Sequence, residues 1–290
     1  MKKEKWMPYW LILPTILLLA FLYGYPIILI IWQSFNKVNL LNSSMEFIGL
    51  ANYKTVFKDP VFYKTIYITV KYTVITVFLK VSLGFLFAYL LHKEMFFKKG
   101  FRFLLLIPWA IPQVAVATSW SWILNGDYGY LNYILMKLHL IAKPIWFLSS
   151  PKLAFYAASF VDTWMGIPMM CMMFLAGLEA IPNSLYEAAK MDGAGKFKQF
   201  KDITLPGIKK VFTTILILVT IWTFNSFNVI FVLTGGGPMR ATETMIIKVY
   251  NEAFSRFNLG MAATLSVITM VILSIMTFVY LKGLDFYDEE

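Results

Sequence analysis

Six stretches of this sequence run for about 20 residues or more with almost no ionisable side chain, a pattern that limits the fold more than any other. They are Tyr9 to Trp32, Tyr72 to Leu91, Phe103 to Leu124, Leu153 to Gly177, Val211 to Leu233 and Met261 to Leu281. A helix rising about 1.5 Å per residue crosses the roughly 30 Å of bilayer hydrocarbon in about that length. Only Lys80 and Asp162 fall inside these windows. Composition agrees: 59% of residues are hydrophobic and 14% charged, where a soluble domain has about a quarter charged. So few charges cannot cover a soluble globule, and a soluble enzyme is excluded. The expected fold class is all-α: a polytopic transmembrane helical bundle of six spans, a single domain over residues 1–290.

Lys2, Lys3 and Lys5 precede the first window as in a signal peptide, but its apolar run is too long and no small-residue cleavage site follows. It reads as an uncleaved helix, in which Pro14 and Pro26 are tolerable because neighbouring groups can satisfy the freed carbonyls. The net charge of +10 has its meaning in its distribution. With the N-terminus inside, residues 1–8, 92–102, 178–210 and 282–290 hold 14 Lys+Arg in 61 positions, and the opposite stretches hold 11 in 94. That roughly twofold bias in density follows the positive-inside rule and puts both termini in the cytoplasm. The basic residues then face lipid headgroups and give no case for nucleic acid. Cys171 alone makes no intrachain disulfide, and His92 and His139 lack neighbouring ligands for a metal.

Residues 181–206 form the longest cytoplasmic stretch and carry helix punctuation. Ser184 with Glu187 makes a capping-box pattern, Ala188, Ala189 and Lys190 favour helix, and Gly193 and Gly195 suit a stop and a left-handed turn. A second short helix over Lys196 to Asp202, with Phe197 and Phe200 on one side, is expected before Pro206 closes the loop. Gly193 to Lys196 resembles part of a phosphate-binding loop, but Lys190 stands where its first glycine should be and Phe197 where a hydroxyl must hold magnesium. Two readings remain: a surface helix merely capped by Glu187, or a docking helix whose Tyr186 and Met191 are knobs for a partner's cleft.

The pattern Glu187-Ala188-Ala189, then Asp192-Gly193-Ala194, then Ile203-x-Leu205-Pro206 resembles the EAA loop of binding-protein-dependent ABC importer permeases. Four more stretches are similar to the carbohydrate branch and to the maltose permease: Phe47 to Tyr53, Asn125 to Asn132, Leu233 to Pro238 with Thr242, and Ala253-Phe254 with Gly260 to Ala263. The maltose permease's extra N-terminal helices and large outer domain have no counterpart, so the likeness is to shorter six-helix members. The resemblance implies a bacterial inner-membrane permease that pairs with a second permease, two ABC ATPase subunits and an extracellular solute-binding protein. ATP and magnesium would sit on the ATPases, with no cofactor on this chain. Tyr186, Glu187, Ala188, Ala189, Asp192 and Gly193 would form the coupling element.

A sugar site needs hydrogen-bonding groups interleaved with aromatic faces. Trp222 and Ser226, with Val219 and Thr223, share a helical face in the fifth window, and in the fourth Met165 and Met169 share a face while Gly166 permits close approach. The maltose-permease resemblance implies sugar contacts at Met165, Gly166, Met169, Val219, Trp222, Thr223 and Ser226. The competing reading is helix packing, which small and polar residues commonly serve in membranes. Asn225 and Asn228 fit either. Lys80 can snorkel, pair with Asp162 or meet the second permease, and structural roles are favoured for both charges. Gly235 to Pro238 reads as a plain turn or as a contact for the solute-binding protein. The alternative functions are import of a non-sugar solute such as glycerol phosphate or polyamine, an independent secondary carrier, or a membrane enzyme. An enzyme would need a cluster of acids, histidines or a metal motif; a carrier would usually show inverted repeats and more intramembrane acids.

Overall fold

The computed structural model describes residues 7–39, 44–93 and 97–288; Lys2, Lys3 and Lys5 lie outside them. In chain order the helices are α1 (Met7–Leu19), α2 (Tyr25–Ser34), α3 (Ala51–Lys58), α4 (Pro60–His92), α5 (Lys98–Ala110), α6 (Gln113–Ile123) and α7 (Tyr130–Lys137). They continue with α8 (Pro151–Glu179), α9 (Asn183–Met191), α10 (Lys196–Gln199), α11 (Leu205–Phe224), α12 (Asn228–Thr234), α13 (Met245–Tyr250) and α14 (Leu259–Asp288). Five helical spans among the described residues are long and apolar enough to cross a membrane: Tyr9–Ser34, Pro60–His92, Pro151–Glu179, Lys209–Thr234 and Leu259–Lys282.

The third window departs from the straight helix expected over Phe103 to Leu124. It is a bent pair, α5 and α6, turned by 91° at the break between them. The cause is local: a residue before proline is pushed out of the helical region, and Ile111 is extended (φ −84°, ψ 138°) ahead of Pro112. Two other prolines do not stop their helices. Tyr25 N–H reaches back five residues to Ala20 O just before Pro26, and Leu205 N–H does the same to Phe200 O just before Pro206. These π turns widen the helix where the proline ring would crowd the preceding turn. Pro206 therefore does not close the 181–206 loop; the chain stays helical from Lys196 into α11.

The chain forms two compact units, Met1–Tyr63 with Lys248–Ile272, and Lys64–Ile247 with Leu273–Glu290. The first contains the one departure from all-α among the described residues, an antiparallel pair of four-residue strands, β1 (Asn36–Asn39) and β2 (Ser44–Phe47). Polar groups tie this unit together. Asn52 Nδ2 donates to Ser34 O and Asn36 O, both at 3.0 Å, and Thr264 Oγ1 donates to Ser34 O at 3.1 Å. A Cβ on Gly260 would lie 2.2 Å from Asn36 O, so only glycine fits against that carbonyl. Two motifs more than 200 positions apart, around Asn52 and Gly260, thus meet on one hairpin.

In the second unit α8 is the most buried span. One apolar cluster joins it to α4 and α11 through Val77, Val81, Met170, Phe174, Ile208 and Ile215. A second joins Tyr72, Val116, Phe155, Val161, Met165 and Ile230. Gly84 lets α4 pack closely on α8, since a Cβ there would be 2.4 Å from Met170 Cβ. α4 starts well before Tyr72: Asp59 Oδ1 accepts the Val61 N–H at 2.9 Å and Pro60 fits the first turn. The charge-free window missed this extension because it carries Lys64 and Lys71, the latter 4.7 Å over the Phe155 ring.

Candidate functional site

A cavity of about 440 Å³ opens among α4, α5, α6, α8, α11 and α12, within the usual range of small-molecule sites. Six of the seven expected substrate positions line it: Met165, Gly166 and Met169 from α8, and Val219, Trp222 and Ser226 from the α11 side. The seventh, Thr223, is 1% exposed and faces inward, where its hydroxyl accepts a hydrogen bond from Lys80 Nζ at 3.1 Å. Ser226 is not on the helical face expected. α11 ends at Phe224, with Asn225 Nδ2 donating to Ile221 O at 3.0 Å, and Ser226 enters from the non-helical link to α12.

Sequence reasoning missed Trp109 and Gln113, which the bend between α5 and α6 brings to the cavity. Gln113 Oε1 accepts from Asn228 Nδ2 at 3.0 Å, fixing two amides at the rim. Pro112 was the available signal, because it disfavours the helical region for the residue before it. Trp222, 50% exposed, and Trp109 supply aromatic faces; Asn225, Ser226, Asn228 and Gln113 supply polar groups.

Lys80 and Asp162 converge at the cavity. Lys80 Nζ lies 3.0 Å from Asp162 Oδ1, with the two residues 6% and 8% exposed, and Tyr72 donates its hydroxyl to Asp162 Oδ2 at 2.9 Å. An isolated charge in so buried a place would be costly; paired and hydrogen-bonded, both can remain. Gly166 makes the pair reachable. Its missing side chain leaves the path taken by the Lys80 stem, and a Cβ there would lie 2.6 Å from Lys80 Cε.

The α9 region forms a second candidate site. The helix begins at Asn183 behind Pro182, two residues earlier than the Ser184 capping pattern implied, and no side chain caps it. Its C-terminus follows expectation: Gly193 has φ +75°, Gly193 N–H bonds Lys190 O and Ala194 N–H bonds Ala189 O, the paired bonds of a Schellman stop. Gly195 is not left-handed; it is extended and leads into α10. Glu187, Ala188, Asp192 and Gly193 are exposed and Ala189 is partly so. Tyr186, expected as a knob for a partner, is half-buried and shares a 3.0 Å hydrogen bond with Thr204, holding α9 to the body. Met191 projects freely, as does Leu185. Phe197 and Phe200 do not share a role: Phe197 is 80% exposed, whereas Phe200 packs edge-on against Tyr89. Arg102 Nη2 meets Glu179 Oε1 at 2.6 Å, so the basic 98–102 stretch and the start of the 178–210 stretch share one end of this unit.

The Gly235 to Pro238 segment is a tightly held turn. Gly235 and Gly236 have positive φ, Thr234 and Thr242 hydroxyls lie 2.7 Å apart, and Thr242 Oγ1 donates to Gly237 O at 2.8 Å. Met239 stands out from it.

The second unit sets membrane-length helices around a polar, aromatic cavity and exposes a short helix at one end, an arrangement that suits a transport subunit. Comparison with known proteins agrees. Residues 80–282 match the family of binding-protein-dependent transport system inner membrane components, and the chain belongs to that family. It is 36% identical to the trehalose/maltose transport system permease protein MalF of Thermococcus litoralis, over 97% of this chain and 94% of that protein. It is also 36% identical to the sulfoquinovosyl glycerol transport system permease protein SmoG of Agrobacterium fabrum, over 94% of this chain and 88% of the relative. Its fold matches a chain from the crystal structure of a bacterial ABC transporter that imports the acidic polysaccharide alginate, with a TM-score of 0.85 and 20% identity over 97% of this chain and 96% of that one.

Proposed function

We propose that this chain is the permease subunit of an ATP-driven ABC importer that moves a sugar or oligosaccharide released by an extracellular solute-binding protein. The observation that carries the reading is the convergence of Met165, Gly166, Met169, Val219, Trp222 and Ser226 on one cavity with two tryptophans and several amides. The relatives named for trehalose, maltose and sulfoquinovosyl glycerol support a glycan as the cargo. A second permease completes the path, and two ATPase subunits holding ATP and magnesium drive it. This chain has no catalytic role and binds no cofactor. Both termini and α9 face the cytoplasm of a bacterial inner membrane, consistent with the basic density at that end. α9 docks on an ATPase through its exposed Glu187, Ala188 and Asp192, while Gly193 allows the stop beyond it. The Gly235 to Pro238 turn presents Met239 to the solute-binding protein. Uptake by the assembled transporter tests the site: Trp222→Ala should raise the transport KM or lower the rate by about tenfold, as expected for a lost aromatic platform. Unchanged kinetics would remove Trp222 from the path.

A further inference from the structure

The cavity carries two formal charges, and both are spent on each other. Lys80 and Asp162 are the only ionisable side chains lining it among the described residues, and they bond at 3.0 Å. Their further hydrogen bonds turn inward: Lys80 also donates to Thr223, and Tyr72 donates to the other oxygen of Asp162. The placement is built into the helices, because the Lys80 stem needs the gap at Gly166 to reach this point. Without Asp162 the same ammonium would stand at the edge of the cavity with no counter-charge from this chain.

Cargo of different charge meets such a wall differently. An uncharged polyol stacks on Trp109 and Trp222 and exchanges its water hydrogen bonds for amide and hydroxyl partners. A carboxylate or phosphate must also be stripped of water, and it recovers that cost only beside an uncommitted cation. We propose that Asp162 is a specificity-determining residue: by occupying Lys80 it leaves the cavity electrically neutral and confines it to uncharged polyhydroxylated solutes. Substituting Asp162 would uncover Lys80 as an anion-binding group. This rests on the sugar-importer reading and narrows its substrate class.

The test uses the complete transporter in lipid nanodiscs, with equilibrium binding of radiolabelled maltose and trehalose and of the same disaccharides carrying one uronic acid in place of a hexose. The wild type should bind the neutral member about tenfold or more tightly than its uronate, the scale of an unpaired charge in a partly desolvated site. In Asp162→Asn that ratio should fall by about tenfold and the uronate affinity should become strongly salt-dependent. In the double variant Lys80→Gln/Asp162→Asn the preference for the neutral sugar should return. Equal binding of both members by the wild type would overturn the proposal whether or not the variant assembles, and so would a wild-type ratio in a folded Asp162→Asn protein. ATP-driven uptake separates the two levels: equal uptake of a sugar and its uronate counts against the inference alone, whereas no uptake of any sugar in the presence of its binding protein counts against the importer reading as well.

Discussion

Three residues set the character of the cavity wall and two more hold them. Gly166 admits the Lys80 stem, Lys80 meets Asp162, and Tyr72 with Thr223 holds the pair in place. Removing one partner leaves a buried charge unpaired, so Lys80→Met should destabilise the protein by about 3 kcal/mol. The double variant Lys80→Met/Asp162→Leu should recover much of that loss, and thermal unfolding of the purified protein measures the cycle. Strict additivity of the two single changes would contradict the pairing. Gly166→Ala meets a flexible lysine stem and should cost less than Gly166→Val, whose branch leaves the stem no route; the same unfolding assay ranks them. Met165, Gly166 and Met169 were legible from resemblance and helical spacing. The approach of Lys80 to Asp162, 82 positions apart, was one of three options, because the choice depends on how α4 registers on α8, where Gly84 lies against Met170.

At the scale of elements, proline meant different things in different places. Pro26 and Pro206 sit behind π turns that keep the helix running, whereas Pro112 ends α5 in a 91° bend and so delivers Trp109 and Gln113 to the cavity. A hydropathy window registers only apolar content, which is why the six spans were legible and the broken third one was not. Pro112→Ala should relieve the restriction on Ile111, withdraw Trp109 and Gln113 and lower the uptake rate, with protein abundance in the membrane unchanged. Normal uptake in that variant would show that the bend does not serve the cavity. The stop after α9 was legible because Gly193 occupies the one position that needs a left-handed backbone. Nothing lies within 4 Å of a Cβ built there, so the cost of a side chain is conformational, about 1 kcal/mol. Gly193→Asn should therefore couple better than Gly193→Val, read as uptake per ATP hydrolysed.

For the whole molecule, the uncharged windows established a membrane bundle, and the charges between them gave the orientation expected for it. The hairpin of β1 and β2 escaped notice because its order comes from Asn52, Thr264 and Gly260, residues distant in sequence that act only once brought together. Function became legible where the EAA pattern stands on an exposed helix and the family match spans residues 80–282. We propose that uptake through this chain is driven by separate ATPases and supplied by a binding protein. The most direct test is glycan uptake into proteoliposomes holding this chain, its partner permease and the ATPase pair, with the loaded binding protein on one side and ATP on the other. Uptake should require ATP and cease when the ATPases are left out or when Glu187→Lys reverses the charge on α9. Uptake that persists without ATPases, driven by a proton or sodium gradient, would contradict ATP-driven import through this chain.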